Sequence, residues 1–245
     1  MPSEVRHLVD AGQAYPVVRL TGVLDAGSAG SVRSAVLGVL GDQPEALVID
    51  VRGLALPRPG PAAVLGDLAR ETAGWPAAPL LLCTDGTTAD WREAGLPILA
   101  DPEAAFAELG RPRPTDFLNA PLEPVTGAAR RSRELVAEVC ARWDRAELAG
   151  PACIVITEMV NNVVAHARTS MTVLLALHGA EMTVAVRDDD PAIPRFTGEP
   201  VPVTSYGGRG LLLIDSVAAR WGSLPVPGGK VVWAVLGPED ETGPP

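Results

Sequence analysis

One Pro-rich stretch without a hydrophobic period, "GRPRPTDFLNAPLEP" from Gly110 to Pro124, most constrains what this chain can fold into. Such a segment cannot continue a helix or a central strand, so it reads as a linker. The chain has 245 residues, more than one domain usually holds. The expected organisation is a first domain over 1–110, a linker over 111–124 and a second domain over 125–237. The acidic, Pro-rich tail "GPEDETGPP" then leaves 238–245 as an expected frayed end.

The two halves order their elements differently. In the first, short apolar runs such as "VVRLTG", "ALVIDV", "PLLLCT" and "LPILA" read as strands. They alternate with helix-like segments, "SVRSAVLGVL", "AAVLGDLARET" and "TTADWREAG". "DPEAAFAELG" has an acidic, Pro-bearing start and a Gly stop, both helix-end signals. This alternation predicts an α/β layer. The second half opens with two helices, "VTGAARRSRELVAEVCARW" and a run through "ITEMVNNVVAHA". A hairpin follows, "MTVLLALHG" and "EMTVAVRDDD", turning at His178–Ala180. A Pro-rich loop, a helix "GGRGLLLIDSVAARWG" and a strand "GGKVVWAVL" close it, predicting an α+β sandwich.

The net charge of −10 argues against nucleic acid or an anionic membrane as partner, since both want a basic face. Of the 20 basic residues one is lysine, Lys230, which makes it conspicuous. Cys83, Cys140 and Cys153 are odd in number and widely spaced. They suggest neither a disulfide framework nor a zinc site, so a cytoplasmic protein is expected. No signal peptide is expected from "MPSEVRHLVD", and no apolar run of membrane-spanning length.

The chemistry concentrates in "ITEMVNNVVAHA", Ile156 to Ala167. Each Asn inside a helix costs roughly 0.5–0.7 kcal/mol relative to Ala, so these polar groups need a reason. At helical spacing Glu158, Asn162 and His166 share a stripe about 80° wide, bordered by Asn161, while Val160, Val163, Val164 and Ala167 can bury. A carboxylate and a carboxamide at i, i+4 stand side by side. The amide oxygen suits Mg²⁺, and the carboxylate can accept a proton. A solvent-facing polar stripe is the alternative reading. Asp188 follows the apolar Val184–Val186, either as an ordinary turn residue or as an acceptor for an adenine amino group. Gly207, Gly208 and Gly210 precede a helix, where backbone N–H groups favour phosphate, and Arg209 among them could pair with one. The same glycines could simply cap the helix.

In this order the three features resemble the N, G1 and G2 boxes of the Bergerat-fold ATPases, the superfamily of DNA gyrase B, histidine kinases and MutL. Within it, the chain looks most similar to the anti-sigma-factor serine/threonine kinases. The resemblance covers roughly Thr115 to Gly237 and rests on "ITEMVNNVVAHA", "VAVRDDDP", "GGRGLLLIDSVAARWG" and "GKVVWAVL". It implies Glu158 as the catalytic carboxylate, Asn162 as the Mg²⁺ ligand and Asp188 as the adenine-binding aspartate. It implies ATP contacts from Asn161, Asn162, His166, Gly208, Arg209, Gly210 and Leu211. The chain departs from the pattern in one turn. Where the family has Asp-x-Gly-x-Gly, Asp188-Asp189-Asp190-Pro191-Ala192 has neither glycine. Ile193–Tyr206 corresponds to the ATP lid and holds three prolines, Pro194, Pro200 and Pro202. The helix Thr126–Trp143 contains no His, which disfavours a histidine kinase.

In the first half "VVRLTGVLDAGSAG", the strand ending at Asp50 and the helix near Pro61 resemble a STAS domain, the fold of anti-sigma-factor antagonists. Phosphorylatable members carry a serine at the start of that helix. Here Leu56–Pro61 offers no hydroxyl, which implies a degenerate, regulatory STAS-like domain. The resemblance as a whole implies an ATP- and Mg²⁺-dependent kinase acting on a serine of a separate STAS antagonist, controlling a sigma factor by partner switching. The alternative is a nucleotide-gated sequestration module with little or no transfer, regulated by its own STAS-like half. Expected partners are a STAS antagonist and/or a sigma factor, without direct nucleic acid or membrane. The resemblance suggests a homodimer, which nothing in the residues demands.

Overall fold

The computed structural model describes residues 4–57, 60–75, 78–86, 89–111, 116–193 and 209–237, with only the backbone at Arg209. The expected lid beyond Ile193, the glycines Gly207 and Gly208, and the tail lie outside them. The chain divides into two compact units at residues 114/115.

The first unit has one five-stranded sheet: β1 (Val5–Asp10), β2 (Val17–Val23), β3 (Leu47–Ala55), β4 (Leu80–Cys83) and β5 (Ile98–Leu99), in that spatial order. β1 runs antiparallel to β2, and the other pairings are parallel. Parallel neighbours need crossovers: α1 (Ala29–Leu40) joins β2 to β3 and α2 (Ala63–Glu71) joins β3 to β4, while α3 (Pro102–Leu109) follows β5. β3 begins with five buried residues, Leu47–Val51, as a strand covered on both faces should. The start of α3 is set as its sequence signals: Asp101 Oδ1 accepts the Ala104 N–H at 2.7 Å and Pro102 occupies the first turn. Ser28, just before α1, is buried; its hydroxyl donates to the Val23 carbonyl at 2.8 Å and accepts the Asp25 N–H at 2.9 Å. "TTADWREAG" forms only a short 3₁₀ turn, Arg92–Ala94, among its described residues, where a helix was expected. Gly95 closes it in the left-handed region. β1 is an addition that the sequence pattern did not mark, because most of its side chains are exposed.

The second unit has a five-stranded antiparallel sheet: β6 (Asp116–Leu122), β7 (Met171–His178), β8 (Glu181–Asp188), β9 (Arg220–Val226) and β10 (Gly229–Leu236). Their spatial order is β6-β7-β8-β10-β9. Its helices are α4 (Ala128–Arg142), α5 (Ala146–Asn162) and α6 (Arg209–Val217). Val155, Ile156, Met159 and Val160 of α5 are buried in one cluster with Val173, Leu175, Val184, Val186 and Ala234 of the sheet. β7 and β8 turn through Gly179–Ala180, with Gly179 at φ 64°.

Three expectations need correction here. Residues 116–122, expected within the linker, form β6. It is an edge strand, where Pro121 is tolerated because no outer neighbour needs its N–H. The helix expected to run to Gly222 ends at Val217, and Arg220–Val226 is the opposite edge strand. Its Gly222 lies against the Trp233 ring and its Pro225 hides the alternation. Third, one apolar stretch does reach spanning length. Ala146–Ala167 has 22 residues, with an 18-residue window of mean hydropathy 1.5. It is the helix whose apolar face packs on the sheet, as the cluster above shows.

The cysteines are free, and burial pushes the Cys83 thiol up to about 12 and the Cys140 thiol up to about 11, which makes both inert near neutrality. Within the first sheet Asp50 is buried and takes both nitrogens of Arg52, Nε and Nη2, at 2.9 Å each. Burial raises its pKa, but the Arg52 hydrogen bonds and charge, with Arg19 beside them, outweigh burial and hold it below the usual value. A carboxylate lowered on folding stabilises above its unfolded pKa, and that contribution fades as pH falls through the folded one. Asp50→Asn should therefore be less stable than the parent in urea titrations at pH 7, with the gap narrowing below about pH 4. A gap that stays constant down to pH 3 would argue against this role for Asp50.

Candidate functional site

β8 and β10 pair so that Asp188 stands directly opposite Lys230 and Val186 opposite Val232. Alternate residues of a strand share a face, so these four form one polar–apolar patch on the sheet. They line a cavity of about 280 Å³. The end of α5 faces them with Met159 and Asn162, and Leu211 of α6 closes one side. The volume is at the small end for ligand pockets and suits the base end of a nucleotide better than a whole triphosphate.

Past Asn162 the helix changes pitch. Val163–Ala167 is a π-helical turn in which the Val163 carbonyl accepts the Arg168 N–H at 2.7 Å, with Arg168 left-handed at φ 57°. A π turn holds an extra residue, so a wheel drawn at regular spacing fails beyond this point. Asn162, Val163, His166 and Ala167 all line the cavity. Glu158, one regular turn before Asn162, is half-buried and outside the lining. It faces the start of α6 instead: a Cβ added at Gly210 would sit 2.7 Å from Glu158 Oε2. Asn161 is exposed and does not line the cavity. Leu211 is buried and does. Gly208 and the Arg209 side chain lie outside the described residues.

Asp188 is 2% exposed. Its Oδ1 accepts from Lys230 Nζ at 2.8 Å and from the Asp190 N–H at 2.9 Å. Lys230, 5% exposed, also donates to the Asp190 carbonyl at 2.8 Å and lies 3.7 Å from Asp190 Oδ2. Asp190 Oδ1 accepts the Ala192 N–H at 3.0 Å, and Thr169 Oγ1 accepts the Asp189 N–H at 3.2 Å. The turn that lacks glycines is thus held by carboxylate caps and by an ammonium. Sequence reasoning had marked Lys230 only as the lone lysine. The missing signal was register: 42 residues separate it from Asp188, and only strand pairing joins them.

Among the described residues no group of three or more His, Cys, Asp or Glu is placed to hold a metal ion. Asn162 stands at the cavity wall, and its amide oxygen is a hard donor of the chemical kind that Mg²⁺ accepts.

Residues 122–236 match the family described as the histidine kinase-like ATPase domain. The second unit belongs to that family. The ATPase domain's match ends with β10, so it takes in the cavity and both sides of the Asp188–Lys230 pair. An uncharacterised protein of Streptomyces coelicolor is 40% identical over 70 residues, spanning 27% of this chain and 67% of that protein. An anti-sigma factor antagonist from Mycobacterium paratuberculosis has a TM-score of 0.36 at 21% identity, over 44% of this chain and 96% of its own. The RsbU and RsbW domains of a Mycobacterium tuberculosis protein score 0.38 at 20% identity, over 51% of this chain and 32% of theirs. At such scores these two likenesses carry no further argument.

Two close-packed glycines of the ATPase domain, Gly229 and Gly210, should respond differently to alanine. At Gly229 an added Cβ would be 1.9 Å from the Asp188 carbonyl oxygen, which is backbone and cannot swing away. Gly229→Ala is expected to cost at least about 2 kcal/mol in urea unfolding. At Gly210 the obstacle is the end of a flexible glutamate, so Gly210→Ala should stay within about 1 kcal/mol of the parent while displacing the Glu158 carboxylate. The reverse order would refute this packing.

Proposed function

We propose that this chain is an ATP-binding regulator of the anti-sigma kinase type, which phosphorylates a serine of a separate STAS-domain antagonist. The observation that carries the reading is one cavity, inside a histidine kinase-like ATPase domain, lined by Asn162 from one element and Asp188 from another. Asp188 accepts a hydrogen bond from the adenine amino group. The Asn162 amide would hold Mg²⁺, which when bound would neutralise charge on the phosphates. Glu158, beside Gly210, is the base. It takes the proton of the partner's serine hydroxyl as the serine oxygen bonds to the γ-phosphorus. The bond from that phosphorus to the β-phosphate oxygen breaks, and ADP leaves. The N–H groups at the start of α6 favour the phosphate charge.

The first unit is read as a regulatory STAS-like module. Its parallel β2-α1-β3-α2-β4 order is compatible with that reading. Leu56–Pro61 has no hydroxyl, and the nearby Ser28 is buried with its hydroxyl engaged, so neither place accepts phosphate. A second reading, nucleotide-gated sequestration of a sigma factor without transfer, draws on the turn Asp188–Ala192, which Lys230 and carboxylate caps hold in place of glycines.

Titration calorimetry and labelled-ATP transfer to a purified serine-bearing STAS antagonist test both. ATP with Mg²⁺ at ~100 times its dissociation constant should stabilise the protein by about 2.7 kcal/mol, and Asp188→Ala should abolish that gain. Glu158→Gln should bind ATP within about 3-fold of the parent and lose at least about 100-fold in transfer rate. Binding without transfer by the parent would favour sequestration. Absence of ATP binding would end both readings.

A further inference from the structure

Lys230 is more than a prop for Asp188. Its ammonium has three N–H bonds, and among the described residues two are engaged at 2.8 Å, by Asp188 Oδ1 and the Asp190 carbonyl. The neighbouring Asp190 carboxylate oxygen is 3.7 Å away, beyond hydrogen-bond reach. Lys230 nevertheless lines the cavity, on the same sheet face as Asp188 and directly opposite it. Among the described residues, both hydrogen bonds made to Asp188's carboxylate fall on Oδ1. The floor of the cavity therefore presents a donor and an acceptor next to each other, framed by Val186 and Val232.

A ligand edge that satisfies this pair must offer an acceptor beside a donor. Adenine does so with N1 and its 6-amino group. In the same position guanine turns a carbonyl oxygen toward the carboxylate and an N–H toward the ammonium, so both contacts repel. We propose, on the reading that the cavity binds the base of a nucleotide, that Lys230 is a specificity-determining residue: its ammonium donates to adenine N1 while Asp188 accepts from the 6-amino group. A buried ammonium left facing a C–H loses a charge-assisted hydrogen bond, so an analogue without N1 should be penalised.

The test is calorimetry on the full chain with Mg²⁺ and four ligands: ATP, 1-deaza-ATP, 7-deaza-ATP and GTP. The expected result is that 1-deaza-ATP binds about 10- to 100-fold more weakly than ATP, 7-deaza-ATP within about 3-fold, and GTP at least about 100-fold more weakly. In Lys230→Met, ATP should weaken to the level of 1-deaza-ATP, and the two should bind alike. Should that variant not fold, with Asp188 unpaired, the comparison is made in Asp188→Asn/Lys230→Met, which removes both charges. Equal binding of ATP and 1-deaza-ATP by the parent would overturn the role of Lys230 while leaving the nucleotide reading intact. So would a penalty that persists without Lys230, or GTP bound as tightly as ATP. Failure to bind any of the four would sink the nucleotide reading itself, and this inference with it.

Discussion

The ATPase domain depends on the packing of α5 against its antiparallel sheet. Val155, Ile156, Met159 and Val160 are buried there with Val173, Val184 and Val186. At roughly 1.5–3 kcal/mol per fully buried aliphatic side chain, no polar preference along the helix can compete with that face. Once the face is fixed, so is the direction of everything else on α5. Asn162 is carried to the strand ends that hold Asp188 and Lys230, and Glu158 to the start of α6. Position on one helix thus assigns its two polar residues to different neighbours.

The Asp188–Lys230 pair is the costly element of this arrangement. Desolvating two charges is unfavourable, and their attraction compensates only when the remaining hydrogen bonds are satisfied. Here they are largely met: the Asp190 N–H supports the carboxylate and the Asp190 carbonyl supports the ammonium. A similar logic recurs in the first unit, where the two nitrogens of Arg52 hold buried Asp50. A hydrophobic pair across β8 and β10 would fold without that cost. Keeping charges at the floor of a cavity makes sense when something polar must be recognised there, which is how these two residues are read above.

Much of the molecule could be read from residue order. Continuous apolar runs gave β3, β4, β7, β8 and β10, and Asp101, Pro102 and Gly110 marked both ends of α3. Elements with mixed patterns escaped: β1 is mostly exposed, and β6 and β9 are edges that accept proline. At the site, Asn162, His166, Asp188 and Leu211 do line one cavity, whereas Glu158 stands outside it and Asn161 is exposed. The wheel places Glu158 and Asn162 on one stripe but says nothing of what each level of the helix meets: Asn162 meets the cavity and Glu158 the start of α6.

The sequence by itself determined the two-part organisation, the mixed helix-and-strand character of both parts, and the set of polar residues available to a site. These follow from periodicity and from the local chemistry of Gly, Pro and Asp, which act within a few residues. The tertiary structure alone decided which members of that set meet. Lys230 reaches Asp188 across 42 residues because antiparallel register places their side chains on one face of adjacent strands. Register is set by the pairing of whole strands and the burial of one face, so no local pattern around either residue contains it.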